Sequence, residues 1–439
     1  MPRTAKAPAR KPATIRARKK SSKTAKPAKA KKSTTAAQST KSASTPAGLS
    51  ASEKKAADDL VIQLMAIRGK SGEEADVAKF ITKQLRAAGA PTKSITEDTA
   101  WKLTPIDGKT GNLILKLPGT IKAPRRMLMA HMDTVPICVG CQPKKKGNFV
   151  KSADPTTGLG ADDRAGVAVT LGTALHILKN KIPHPPLTFL WTVQEEIGLH
   201  GARHVKLGSL GNPKLAFNWD GGSAAKLTIG ATGGYRMNIE IEGQASHAGN
   251  APEKGISAIA IASVAIADLQ KNGWHGLIKK RGKSGTTNVG VISGGAATNV
   301  VTDLVTIRAE ARSHDPVFRK EIVKQIEKAF QSAVKQVRNS DGKVGKVKIE
   351  GRLDYESFRL EKDDPAVVAA MAAVKSIGEK PNPQTTNGGV DANWLSARGI
   401  PTVTLGCGQM NPHMVTEALD LVAYRQACHI ARILATATE

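Results

Sequence analysis

The sequence predicts an α/β protein in which a mixed sheet flanked by helices is interrupted by an inserted ferredoxin-like α+β domain. Several short aliphatic runs end at polar clusters, which is typical of buried parallel strands. Residues 158–180 read as a glycine-rich turn followed by an amphipathic helix. Residues 235–355 alternate strand and helix patterns in an order of their own.

Length and charge divide the chain into a folded part and a basic tail. The 439 residues suggest two or three folding units, and 40% hydrophobic residues suffice for a sizeable core. Half of the net charge of +28 lies in residues 1–50, which hold 14 Lys or Arg and no acid. We predict that this segment is disordered and makes weak contact with nucleic acid or another polyanion. A solubilising extension and a cleaved transit peptide are the alternatives.

The folded part is predicted to begin near Glu53, where the composition changes sharply. Residues 57–69 and 73–89 carry apolar side chains at helical spacing with glycine near their ends. The longest nearly apolar stretch, residues 256–267, is too short to cross a bilayer, so no transmembrane segment is expected.

Cysteine usage indicates a reducing compartment. Four cysteines at irregular spacing are too few for a disulfide framework, and we predict a cytoplasmic protein. Cys138 and Cys141 form a lone CxxC, for which a redox or zinc-ribbon role is the weaker alternative to ordinary free thiols.

Polar residues that bind metals follow the apolar runs and glycine turns. The set is His131, Asp133, Asp162, Glu195, Glu196, Asp220 and His413. Because functional groups in open α/β sheets gather beyond the carboxyl ends of the strands, these side chains should converge. Two imidazoles and several carboxylates without a thiolate suit Zn²⁺, with Mn²⁺ or Co²⁺ as alternatives. Seven groups exceed the needs of one ion, so we predict two divalent ions with a bridging carboxylate and water.

Spacing within the set indicates two supporting roles. His131 and Asp133 stand two residues apart on an extended segment, so Asp133 can accept the second ring N–H of His131. Glu195 and Glu196 are adjacent and point in different directions. One of them can therefore bind metal while the other faces the substrate as a general base.

Seven motifs along residues 53–439 occur in a fixed order before His413: AHMDTVP, LGADDRAG, QEEIGLHGA, WDGG, ASHAG, NVVTD and GGVDANWLSARGIPTVTLGCG. In this order they resemble the peptidase T, carboxypeptidase G and succinyl-diaminopimelate desuccinylase family of two-zinc hydrolases, especially its peptidase T-like branch. The resemblance implies two metal sites: His131, Asp162 and Asp220 in one, and Asp162, Glu196 and His413 in the other. It also implies that Glu195 is the base and that Asp133 orients His131.

The 193-residue gap between Asp220 and His413 has room for an inserted domain. It reads β-α-β-β-α-β, with strands at 235–243, 286–294, 304–313 and 346–355 and helices at 251–270 and 315–337. The resemblance makes it a lid and dimerisation domain, and hence implies a homodimer. The predicted organisation is a tail at 1–50, catalytic domain parts at 51–226 and 355–439, and the lid at 227–354.

Three residues of the insert receive roles from the resemblance. His247 is placed at the start of the first helix of the insert, where it would stabilise a tetrahedral oxyanion, in dimeric members at the partner's active site. Arg312 matches an arginine that grips a substrate carboxylate, and Asn299 would line the same cleft. A surface arginine on a strand is the alternative reading of Arg312.

The predicted function is a metal-dependent exopeptidase of tripeptidase or aminopeptidase type. A metal-bridging hydroxide, formed when Glu195 removes a proton from water, would attack the amide bond of a small peptide. One alternative is an N-acyl amino acid deacylase of the same family, and another is a nucleic-acid-associated protein without activity. Because Cys138, Cys141 and residues 414–421 depart from the peptidase T branch, strict tripeptide specificity stays open.

Overall fold

The structure, a computed structural model, describes residues 48–437. The basic tail predicted at residues 1–50 lies, up to residue 47, outside the described residues. In chain order the helices are α1 Ala51–Met65, α2 Ala75–Ala87, α3 Ala161–Asn180, α4 His200–His204, α5 Ala258–Lys271, α6 Pro316–Gln336, α7 Pro365–Ser376, α8 Ala392–Ala397 and α9 Leu421–Thr436. Between residues 48 and 437, none of these helices has the length and apolar character needed to span a membrane.

The strands fall into three sheets. In chain order they are β1 Ile95–Glu97, β2 Leu113–Leu117, β3 Arg126–His131, β4 Pro143–Lys146, β5 Phe149–Ser152, β6 Leu187–Thr192, β7 Leu215–Trp219, β8 Lys226–Ala231, β9 Gly233–Glu242, β10 Gly276–Lys280, β11 Lys283–Gly294, β12 Leu304–Ser313, β13 Lys346–Tyr355, β14 Phe358–Arg359, β15 Asn382–Thr386, β16 Thr402–Leu405, β17 Gln409–Met410 and β18 Ala418–Asp420.

The largest sheet is mixed, which confirms the predicted fold class. Its order is β1-β2-β6-β3-β7-β16-β8-β14, and β15 pairs with β8 as well. The central strands β6, β3, β7 and β16 run parallel, whereas β2 and β8 join them antiparallel. The carboxyl ends of four neighbouring strands therefore meet at one edge of this sheet.

Strand β3 shows why these segments read as nearly continuous apolar runs. Met127 and Met129 pack into a small cluster on one face of the sheet, where α4 and α8 also contribute. Leu128 and Ala130 pack into the large core on the other face, with residues of α1, α3 and α9. Since both faces are covered, no position between the two ends of the strand favours a polar side chain.

Helix α1 begins where the composition changes. The side chain of Ser50 accepts a hydrogen bond from the Glu53 backbone N–H at 3.3 Å, and the Glu53 carboxylate accepts one from the Ser50 N–H at 2.9 Å. This reciprocal capping satisfies two backbone donors at the helix start. The first helical residue is Ala51, two residues before the predicted start.

The second sheet has the order β10-β11-β12-β9-β13 and is antiparallel throughout. Helices α5 and α6 cover one of its faces and enclose a separate hydrophobic cluster that contains Phe318 and Phe330, both fully buried. The four strands β11-β12-β9-β13 have the arrangement of the split β-α-β motif, so the predicted ferredoxin-like insert is confirmed. The domain boundaries themselves stay a prediction.

Two details of the insert differ from the prediction. Strand β10 was not predicted, because only one of its residues 276–280 is buried and two of them are lysines. It turns into β11 through Arg281 and Gly282, which have φ angles of 51° and 74° and so match the twist of a tight hairpin.

The helix predicted at 251–270 starts late. Gln244 and Ile256 exchange two backbone hydrogen bonds of 2.9 Å, which keeps the preceding segment close to the end of β9. Ser257 then caps the helix by accepting from the Ala260 N–H at 3.1 Å. Helix α5 therefore occupies only Ala258–Lys271.

The separate core of the insert leads to a stability prediction. Phe330→Ala removes a fully buried ring, so we expect it to lower the free energy of unfolding by about 3–5 kcal/mol. Val317→Ala on the same helix is the matched control, because Val317 is 68% exposed and its loss should cost no more than about 0.5 kcal/mol. Urea unfolding measures both variants. Equal losses would contradict the assignment of Phe330 to a packed core.

Candidate metal centre

The structure gathers the predicted ligands at the carboxyl edge of the central sheet. His131 ends β3, the two glutamates follow β6, and Asp220 follows β7 directly. Asp162 lies at the start of α3, and His413 lies in the loop after β17. One side-chain atom from each of His131, Asp162 and Asp220 falls within 4.8 Å of the others, and the same holds for Asp162, Glu196 and His413.

Asp162 lies between the two histidines. Its Oδ1 is 3.2 Å from Nε2 of His131, and its Oδ2 is 3.3 Å from Nε2 of His413. The start of α3 is kinked there, because Asp162 and Asp163 have non-helical dihedral angles. Each oxygen of one carboxylate thus faces a different group of ligands, the arrangement that a bridging carboxylate requires.

Asp133 connects the end of β3 with the turn after β6. Its Oδ1 lies 3.3 Å from Nδ1 of His131 and accepts the Glu195 N–H at 3.0 Å. Its Oδ2 accepts the Glu196 N–H at 3.2 Å and the hydroxyl of Ser71 at 2.6 Å. A single fully buried carboxylate therefore fixes the ring of His131 and the backbone of both glutamates.

The two adjacent glutamates face different partners. Glu196 accepts from Nε2 of His413 at 2.9 Å. Glu195 has no such close partner in the described part of the chain, and its Oε2 lies 4.0 Å from Nε2 of His131. Glu195 is nevertheless 8% exposed, so its carboxylate lies within the cluster rather than in open solvent.

Burial leaves the negative charge of several carboxylates in this cluster poorly compensated. It raises the pKa of Asp220 to about 7, with the charge of Asp162 adding to the effect. Burial likewise raises the pKa of Glu195 well above its usual range and raises the pKa of Glu196. Burial also acts to raise the pKa of Asp162, but hydrogen bonds with His131 and His413 outweigh it and hold that pKa below its usual value.

The cluster therefore fits divalent cations. The carboxylates of Asp162, Glu196 and Asp220, with that of Glu195 beside them, converge with the imidazoles of His131 and His413. The carboxylates are largely shielded from water while His413 is 52% exposed, and bound cations would neutralise their excess negative charge. The donor atoms are oxygen and nitrogen only, which suits Zn²⁺, Mn²⁺ or Co²⁺ better than a soft ion.

Ser71 and Asp163 contact the cluster and were not predicted. Ser71, 62 residues before Asp133 in the chain, donates to its carboxylate. Asp163 is fully buried and accepts from the His131 N–H at 3.1 Å and from Nε2 of Gln409 at 2.9 Å. Only the doubled acid in the motif GADD could have indicated Asp163, and nothing local marks Ser71.

The predicted position of His247 at the start of a helix is wrong. Since α5 starts only at Ala258, His247 is not at a helix start but in the loop before it, where its side chain is exposed. Its Nδ1 accepts from the N–H groups of Gly249 and Asn250, both at 3.1 Å. Asn299 is adjacent, because its carbonyl accepts from the Ala248 N–H at 2.9 Å. Among the described residues, no hydrogen bond joins His247 or Asn299 to the cluster.

Arg312 is paired within the insert. Its Nε and Nη2 contact the two oxygens of Glu310 at 2.9 and 3.0 Å. Its Nη1 donates to the carbonyl of Asn387, just after β15, at 3.2 Å. The guanidinium therefore links the inserted sheet to the central one, and among residues 48–437 it has no hydrogen bond to the predicted ligands.

The fold is that of a family of peptidases. Residues 127–437 match Peptidase family M20/M25/M40, and the chain belongs to that family. The protein YqjE of Bacillus subtilis (strain 168), described as uncharacterized, is 33% identical over 84% of this chain and 94% of its own length.

Two solved structures identify the branch. Aminopeptidase PepT from Bacillus cereus ATCC 10987 is 31% identical with a TM-score of 0.76, and a tripeptidase from Staphylococcus aureus is 30% identical with a TM-score of 0.77. Each alignment covers 87% of this chain and 98% of the other. The chain is thus a peptidase T-like member of its family, and the resemblance noted in the sequence is confirmed.

Because the negative charge of the clustered carboxylates is poorly compensated, we predict that divalent ions stabilise the folded protein. Zn²⁺ or Mn²⁺ at a hundredfold excess over its dissociation constant should add about 2.7 kcal/mol to the free energy of unfolding for each site that it fills, because the ion binds only the folded site. Thermal melting with and without a chelator measures the change. Asp162→Asn is the control variant, since it weakens both groups of ligands at once. An identical metal-induced shift in this variant would contradict a site built around Asp162.

Proposed function

We propose that the chain is a metal-dependent exopeptidase of tripeptidase or aminopeptidase type that hydrolyses the amide bonds of small peptides. The observation that carries this proposal is Asp162, shared by two groups of ligands next to the unpaired carboxylate of Glu195. The names of the two similar structures, an aminopeptidase and a tripeptidase, support the substrate class.

Two divalent ions, in our proposal Zn²⁺ with Mn²⁺ or Co²⁺ as alternatives, would share this site. The residues that would hold them are His131, Asp162 and Asp220 for one, and Asp162, Glu196 and His413 for the other. When bound, such ions lower the pKa of a water molecule and polarise a carbonyl group.

We propose that Glu195 transfers the proton of the attacking water. In this proposal its carboxylate accepts a proton from the attacking water and returns it to the leaving amine. Burial, which raises its pKa, suits a group that must both take up and release a proton. Asp133 keeps His131 in one orientation meanwhile, because it contacts the ring and both neighbouring backbone N–H groups.

His247 is proposed to stabilise the oxyanion of the tetrahedral intermediate. Since its Nδ1 accepts two backbone hydrogen bonds, its proton lies on Nε2, which is free to donate. We further propose that Asn299, held beside it, lines the cleft and that Arg312 binds a substrate carboxylate. Arg312 would then exchange part of its contact with Glu310 for the substrate.

Residues 227–354 are proposed to form a lid that also joins two copies of the chain. In the described structure β10 pairs with only residues 283–287 of β11, so the rest of β11 has a partner strand on one side only. Near this open edge Ile292 and Leu304 are 52% and 47% exposed. An open apolar edge is the kind of surface that pairs with another strand.

The proposal also includes the cellular location and the basic tail at residues 1–50. The four cysteines are all buried free thiols, which agrees with the reducing cytoplasm that we propose as the location. The weak polyanion contact of residues 1–50 stays a prediction.

The proposed function predicts a substrate preference. With Zn²⁺, Mn²⁺ or Co²⁺ added, the chain should hydrolyse dipeptides or tripeptides faster than N-acyl amino acids, and a chelator should abolish the reaction. A liquid-chromatography assay of released products on such a panel measures this. Faster hydrolysis of N-acyl amino acids would instead favour the deacylase.

Glu195→Gln provides the matched control for the same assay. It keeps the shape of the side chain but removes its capacity to accept a proton, so turnover should fall by about 10²–10⁴-fold. Metal content, measured by mass spectrometry, should stay at the wild-type level. Full activity in this variant would show that Glu195 is not the base.

The proposed dimer predicts a change of oligomeric state. Ile292→Lys places a charge at the open edge of β11 and should convert dimers to monomers, as measured by light scattering after size exclusion. Val368→Lys on α7, where the valine is 51% exposed, is the control and should leave the mass unchanged. A monomeric wild type would contradict the proposal.

A further inference from the structure

Glu417 is a buried carboxylate to which neither the resemblance nor the proposed mechanism assigns a role. It stands four residues after His413, directly before β18, and is only 1% exposed. A charged side chain at such a depth is costly unless several donors surround it. The donors around Glu417 come from a distant part of the chain.

The donors are backbone N–H groups of the turn that leads to Asp162. Oε2 of Glu417 accepts from the N–H of Leu159 at 2.8 Å and of Gly160 at 2.7 Å. Oε1 accepts from the N–H of Asp162 itself at 3.0 Å. The thiol of Cys138 adds a fourth hydrogen bond, to Oε2 at 3.2 Å.

The turn is shaped to receive this carboxylate. A Cβ on Gly158 would lie 2.9 Å from Sγ of Cys138 and 3.0 Å from Oε2 of Glu417, so a larger residue at this position would displace both groups. Gly160 has a φ of 76°, which favours glycine and lets consecutive N–H groups point to the same side.

The side chain of Glu417 therefore links the two segments that contain Asp162 and His413. The backbone of Glu417 is itself held close to His413, since its N–H donates to the carbonyl of Met414 at 3.0 Å. Oδ2 of Asp162 and Nε2 of His413 are 3.3 Å apart, and the segments that carry them are joined by the Glu417 bonds.

We propose that Glu417 is a positioning residue. It holds Asp162 and His413 at the separation needed by the divalent ion that these two residues and Glu196 would bind. The inference rests on the proposed metallopeptidase function. Glu417 touches neither substrate nor metal in this scheme. It acts through the backbone of Asp162, as supporting groups around metal ligands do.

Glu417→Gln tests the inference with little change in volume. A glutamine has one accepting oxygen, and its NH₂ group would face a backbone donor in either orientation. The orientation that loses least keeps the bonds to Leu159 and Gly160 and turns the NH₂ group toward the Asp162 N–H. The variant should therefore release Asp162 in particular.

The measurement is calorimetric titration of Zn²⁺ into the metal-free full-length chain. The wild type should bind two ions, and Glu417→Gln should bind one of them, the ion held by Asp162, Glu196 and His413, about 10–100-fold less tightly. At limiting Zn²⁺ its kcat should fall while KM for the peptide stays constant, and excess Zn²⁺ should restore kcat. A purely structural role would not produce this rescue.

Asp58→Asn is the matched control. Asp58 is a buried carboxylate on α1 that is bound by Arg425 at 2.6 Å and Lys145 at 2.6 Å. Its loss should lower the melting temperature without changing Zn²⁺ affinity. A Glu417→Gln protein that binds two ions with wild-type affinity would overturn the inference, whereas a wild type that binds none would overturn the proposed function instead.

A second variant keeps the inference testable if the Glu417→Gln protein does not fold. If circular dichroism shows that Glu417→Gln is unfolded, Glu417→Asp decides, because it keeps the charge but is too short by one methylene group to reach both sets of donors. Weakened binding of the same ion in a folded Glu417→Asp protein supports the inference. If both variants unfold, Glu417 has a structural role and the inference is wrong.

Discussion

The rest of this structure depends on one electrostatic constraint, the gathering of several carboxylates in a buried place at the carboxyl edge of the central sheet. Carboxylates that are close together and shielded from water repel one another, and burial raises the pKa of Asp220 to about 7 for this reason. Such a cluster is stable only if the backbone holds it. Fixed N–H donors do so at Asp133, which holds both glutamates, and at Asp163, which holds His131.

The sheet provides the rigidity that this constraint requires. Its parallel central strands are buried on both faces, so their ends have little freedom to separate. The predicted ligands at the ends of three neighbouring strands are thus fixed relative to one another by backbone hydrogen bonds. The other two predicted ligands, Asp162 and His413, come from a helix start and a loop, and Glu417 contacts the backbone of Asp162 there.

Polar contacts are among those that join the inserted sheet to the central sheet. Arg312 and His314, at the end of β12, both contact Asn387, which follows β15 of the central sheet. The insert has its own core, so it does not depend on the central sheet for its hydrophobic burial. Polar contacts of this kind can be exchanged at low cost, which suits a domain proposed to act as a lid.

The sequence by itself determined the fold class, the ferredoxin-like insert and the residues that converge, because these features are local. Buried strands read as apolar runs, helices have a period, and a ligand after a strand end has a known direction. What only the tertiary structure decided is how the cluster is held. Ser71 and Glu417 reach their partners from 62 and 255 residues away, and a hydrogen bond across such a distance leaves no pattern in the neighbouring sequence. The late start of α5 was decided in the same way, by the backbone pairing of Gln244 with Ile256.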